Sequence, residues 1–139
     1  MNIEDEDIGY QRAKREGLGN FQEDNWAWIR ECFGEESASS KKERVLRFIE
    51  EALELAQAAG LSQGECLTMV DYVFSRSVGE PKQETGGTVV CLAALCSAMG
   101  FDMMTAAFVE LERCKLNTGR IREKHFNKGP GIRTGHDEA

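Results

Sequence analysis

Glu84-Thr85-Gly86-Gly87-Thr88-Val89-Val90-Cys91-Leu92-Ala93-Ala94-Leu95-Cys96 decides the fold. After its opening glutamate the run is apolar or small on every side, which marks the central helix of a bundle. Gly79 and Pro81 break the chain before it, and Gly100 follows, so the helix is expected from about Lys82 to Met99. A carboxylate at the mouth of such a helix is expected to be half buried. An unpaired buried charge costs several kcal/mol, so Glu84 calls for a partner. A cation or a neighbouring Arg or Lys could serve, or Glu84 could simply sit in the first turn, where the helix dipole favours an acid.

The rest of the chain has the same helical periodicity, with little β-branched alternation and only two prolines, Pro81 and Pro130. Residues 1–20 are polar and Gly-punctuated, and read as irregular. Trp26, Trp28, Ile29 and Phe33 place a short helix over 22–33, stopped at Gly34. Ser40-Lys41-Lys42-Glu43 has the spacing of a capping box and opens a second helix, to about Ala59. Ser62-Gln63-Gly64-Glu65 repeats that spacing and opens a third, through Val73. Asp102 is the expected N-cap of a fifth helix reaching to about Lys124. The tail from Asn127 holds Gly129, Pro130, Gly131 and Gly135, and is expected to be flexible. The expected organisation is an irregular segment over 1–20, one all-α domain over 21–126 and a tail over 127–139. Its five or so helices form a four-helix-bundle-like arrangement. With few large core aromatics, such a chain is expected to complete its core by self-association.

The chain has 139 residues and a net charge of −7, enough for one domain with a core and too acidic for a general nucleic-acid coat. Charge is uneven: seven basic residues and one acid, Glu123, lie between Arg113 and Arg133. The five cysteines show no CxxC spacing and neither histidine lies near one, which argues against zinc and for reduced thiols. The first residues are acidic and no apolar run is long enough to span a bilayer, so a cytoplasmic protein without a membrane partner is expected.

The second helix carries Arg47-Phe48-Ile49-Glu50-Glu51-Ala52-Leu53-Glu54. At 100° per residue, Val45, Ile49, Ala52 and Ala56 share one face, and Glu50, Glu51 and Glu54 share the other. Arg47 precedes Glu50 and Glu51 by three and four residues, so an ordinary solvated, ion-paired face is one account. The other is a metal site. Hard divalent cations take oxygen ligands, and magnesium prefers a few carboxylates with waters and substrate phosphates. Two carboxylates on one helix and Glu84 on its antiparallel neighbour would meet that need.

These motifs resemble the MazG-like, all-α nucleotide pyrophosphohydrolases over about residues 22–124. Their hallmark is E-E-x-x-E on one helix and E-x-x-D on another, with a basic or amide-bearing segment later. Glu50-Glu51-Ala52-Leu53-Glu54 matches the first in full. Glu84-Thr85-Gly86-Gly87 matches the second at its glutamate, with Gly87 where the family has aspartate. Arg113, Asn117 and Arg120 resemble the later segment.

The resemblance implies an enzyme that hydrolyses a nucleoside or deoxynucleoside triphosphate to monophosphate and pyrophosphate. It implies Glu51, Glu54 and Glu84 as ligands of Mg2+, with Mn2+ a possible substitute, and Glu50 as the group that orients or deprotonates water. Arg113, Lys115, Asn117 and Arg120 become candidates for the phosphate chain, with Arg76 and Lys82 as lesser ones. Trp26 or Trp28 could stack on the base or pack in a core. Asp71 is a possible replacement for the missing aspartate. A homodimer or homotetramer is expected. Gly87 keeps a second possibility open: a decayed site on the same bundle that binds nucleotide or regulates without turnover.

Overall fold

The computed structural model describes residues 18–135, and every regular element among them is an α-helix. The helices are α1 (Leu18–Phe33), α2 (Glu35–Ser39), α3 (Lys41–Ala58), α4 (Gln63–Phe74), α5 (Pro81–Met99), α6 (Met103–Leu116), α7 (Thr118–Phe126) and α8 (Pro130–Arg133). The all-α expectation therefore holds, with eight described helices where about five were expected. The irregular segment expected over 1–20 lies outside the described residues up to residue 17, and residues 18–20 already belong to α1.

Local signals set most boundaries. Ser62 and Glu65 form a reciprocal capping box at α4, with the Ser62 N–H donating to Glu65 Oε2 (2.8 Å) and the Glu65 N–H to Ser62 Oγ (3.2 Å). Asp102 Oδ2 accepts from the Thr105 N–H (2.7 Å) and opens α6 as expected. Gly100 closes α5 at φ 82°, a left-handed conformation that costs a residue with a Cβ. At Ser40 only part of the expected box has its expected partner. The Glu43 N–H donates to Ser40 Oγ (3.3 Å), while the Glu43 carboxylate accepts from Ser37 Oγ.

The long fifth helix expected to Lys124 is two helices. Asn117 leaves helical geometry at φ −116°, ψ 23°, and its side-chain amide donates to the Arg113 carbonyl (2.8 Å). Thr118 Oγ1 donates to the Lys115 carbonyl (2.8 Å). Side chains that bond the preceding turn compete with the backbone ladder and end the helix there. The expected flexible tail contains α8, with Pro130 at its first turn, where a missing N–H costs nothing.

The described chain divides into two units: residues up to Glu43 together with those from Phe108 onward, and Arg44–Ala107. The first has a core of Trp28, Cys32 and Leu111, packed by Phe21, Ile29, Phe33, Cys114 and Ile121. α1 packs on α2 and α7. Trp28 Nε1 donates to Thr118 Oγ1 (3.0 Å), and Phe21 meets Phe108 edge to face at 5.2 Å. Arg122 Nε and Nη2 donate to the carbonyls of Cys32 (2.6 Å) and Glu31 (3.2 Å), filling acceptors that the C-terminus of α1 leaves without helical partners.

Within Arg44–Ala107 the only buried residue is Cys96. Val45, Phe48, Ile49 and Leu53 on α3 are exposed, as are Leu67, Met69, Val70, Tyr72 and Val73 on α4. On α5, Val89 is 49 % and Val90 69 % exposed. No helix pair inside this unit makes an extended contact among the described residues. Within this unit, the helix expected at the centre of a bundle is thus largely uncovered among the described residues. All five cysteines are free thiols. Among the described residues no single helix is long and apolar enough to cross a membrane.

Candidate functional site

The acids of α3 differ in their surroundings. Arg47 Nη1 lies 2.8 Å from Glu50 Oε2, one turn along the helix, with both side chains partly buried. For Glu50 the simple ion pair expected from Arg47 is therefore formed. Glu51 and Glu54 are exposed. At 100° per residue they sit side by side at i and i+3.

Glu84, expected half buried, is exposed. It does sit in the first turn of α5, where the helix dipole favours an acid, while the N-cap is Glu80, whose carboxylate accepts from the Lys82 N–H (3.0 Å) and the Gln83 N–H (2.8 Å). Those two backbone bonds hold the Glu80 carboxyl below its ordinary range. Glu84 bends back over Gly79 so closely that a Cβ at residue 79 would collide with Glu84 Oε1. It lines an open cavity of about 530 Å³ with Val73, Phe74, Arg76 and Gly79. Around Gly86 and Gly87 an added Cβ would meet open space, so no close approach among the described residues requires either glycine.

Carboxylate oxygens are the donors magnesium takes, so Glu51, Glu54 and Glu84 suit it chemically. Among the described residues, however, no three His, Cys, Asp or Glu side chains gather closely enough to hold a metal ion. Asp71, the possible replacement ligand, stands exposed on α4. The expected ligand set is not brought together within one chain.

The later basic segment is better assembled. Arg113, Asn117 and Arg120 line one cavity of about 400 Å³ with Ile121 and Lys124. Arg113 is forked onto Glu110 through Nε (2.9 Å) and Nη2 (2.5 Å), which lowers the Glu110 carboxyl from its ordinary value. Lys115 is turned elsewhere. Its ammonium donates to Asp24 Oδ2 (2.7 Å) and Glu112 Oε1 (3.3 Å), and the Asp24 bond chiefly raises its pKa. It borders a separate cavity with Asp24, Trp28 and Thr118. Three of the four expected phosphate contacts thus share a cavity and Lys115 does not. Trp28 is committed to packing, while Trp26 is 40 % exposed.

Sequence reasoning missed two groups. One is buried: His125 Nε2 lies 3.5 Å from Glu43 Oε2, with the imidazole 4.6 Å from the Phe33 ring. The partners are far apart in sequence and no spacing advertises them. The other is Lys124, which joins the Arg120 cavity. Its signal was present as the i, i+4 step from Arg120.

Comparison of the chain with protein-family profiles, with characterised proteins and with solved structures gave no match.

Proposed function

We propose that this chain is a magnesium-dependent nucleotide pyrophosphohydrolase of the MazG-like kind, active as a homodimer or homotetramer. Water would attack the α-phosphorus of a nucleoside or deoxynucleoside triphosphate and release pyrophosphate. One observation carries the proposal: Glu51 and Glu54 stand exposed on α3, whose apolar Val45, Phe48, Ile49 and Leu53 are also exposed among the described residues. Exposed apolar faces of this extent favour association, since covering them gains about 25 cal/mol per Å². Association would complete the bundle and bring Glu51 and Glu54 together with a Glu84 carboxylate. Bound magnesium would supply neutralisation of phosphate charge. Glu50, held by Arg47, is the group proposed to orient the water. Arg113, Asn117 and Arg120 are the groups offered to phosphate oxygens.

A second reading keeps the assembly and drops the turnover: a nucleotide-binding or regulatory module. Gly87 in place of an acid, and the lack of a gathered acidic cluster among the described residues, favour it. Incubation with a panel of nucleoside triphosphates and magnesium separates the two. The enzyme reading predicts pyrophosphate release that Glu51→Ala or Glu54→Ala abolishes. Nucleotide-dependent magnesium binding without release supports the module.

A further inference from the structure

We propose that the outer face of α7 and the turn after it form a binding surface for chains of linked phosphates, centred on Arg120, Lys124 and Lys128. The surface needs neither magnesium nor the acids of α3. Arg120, Glu123, Lys124, Asn127 and Lys128 line an open cavity of about 520 Å³, which shares Arg120 and Lys124 with the cavity that holds Arg113. Among the described residues that line it, three are cations and one is a carboxylate, in a protein whose net charge is −7, and Lys128 has an interaction of its own. A local reversal of that kind concentrates anions.

The pairing of the basic residues sharpens the point. Arg113 is occupied by Glu110, Lys115 by Asp24 and Glu112, and Arg122 by the end of α1. Arg120 and Lys124 have no hydrogen bond or ion pair among the described residues, and both are exposed. Their charges are therefore available. Arg120 and Lys124 stand at i and i+4 on α7, about 6 Å of rise apart, and Lys128 lies in the turn beyond its end. The backbone carries the turn past α7, with the Asn127 N–H on the Glu123 carbonyl and the Lys128 N–H on the His125 carbonyl.

The occupant follows from what the surface lacks. Among the described residues no aromatic side chain lines the cavity, so a nucleobase has no stacking platform within it. An acidic peptide would bring side chains that need pockets of their own. A phosphate chain carries closely repeated charge and little else, and the Arg120 guanidinium and the Asn127 amide suit its oxygens.

The test uses inorganic tripolyphosphate, followed by calorimetry at low ionic strength with a chelator present. Binding is expected, to weaken with added salt, and to fall about tenfold in Lys124→Gln/Lys128→Gln. The control Lys41→Gln/Lys42→Gln, which removes two exposed lysines from the start of α3, keeps wild-type affinity. Circular dichroism checks that both variants fold. ATP binding no more tightly than tripolyphosphate supports a surface that reads phosphates alone. Absence of tripolyphosphate binding, equal weakening in both double variants, or a requirement for the nucleoside would overturn the proposal. So would tighter binding of polyglutamate or of a single-stranded oligonucleotide at equal charge. Because metal is excluded, failure here leaves the proposed hydrolysis to be judged by its own assay.

Discussion

The two units of the chain treat apolar side chains differently. Around Trp28 the cover comes from residues distant in sequence: Thr118 and Arg122 reach α1 across some ninety positions. Among the described residues, the helices of Arg44–Ala107 give comparable side chains no such cover from one another, and α5 is mostly exposed. A packed core can be read from the chain that makes it. A bare amphipathic set asks for something further, and the proposed answer is a second copy.

The largest expected effect falls in the covered unit. Trp28→Ala removes the main core side chain and its bond to Thr118, and should cost about 3–5 kcal/mol in a denaturant titration. A negligible change would erase the contrast between the units. In the bare unit the expected signs reverse. Val90→Lys places a charge on a side chain that the single chain already exposes, so its own fold should change little. If another copy covers α5, the same substitution lowers the sedimenting mass to one chain. Unchanged mass would remove Val90 from the proposed interface.

Smaller effects sharpen the picture. Arg122→Ala strips the guanidinium from the last carbonyls of α1 and should destabilise the first unit by about 1 kcal/mol, measured by denaturant titration. Acid should act on the caps of the second unit. Glu65, Glu80 and Asp102 each have a lowered pKa through backbone N–H bonds. Their contribution is therefore complete above the ordinary carboxylate range and is lost as pH falls through the lowered folded values. Amide exchange at the starts of α4, α5 and α6 should quicken over that acid window. Asp102→Asn keeps a capping oxygen and should remove the acid response at α6 alone.

What was legible in the sequence was local. Ser62 with Glu65, Asp102 with Thr105, and the glycine at 100 act within a turn, so their spacing alone fixed three helix ends. The break at Asn117 was missed although Asn117, Thr118 and Gly119 are poor helix formers, because good helix formers flank them on both sides and the bond from the Asn117 amide back to the Arg113 carbonyl shows only in the structure. Nor could spacing pair Lys115 with Asp24, or His125 with Glu43, since each contact depends on how distant segments meet. For the candidate site, the face shared by Glu51 and Glu54 follows from helical period. The surroundings of Glu84 do not, because an apolar helix says that it wants cover without saying from which chain.

Association is proposed to make the acids of Arg44–Ala107 into a working site. Its most direct test is pyrophosphate release with magnesium, measured per chain while protein concentration is raised through the range where sedimentation shows the mass to change. Specific activity is expected to climb in step with the assembled fraction. Activity independent of assembly, or no release from fully assembled protein with any nucleoside triphosphate, would contradict it.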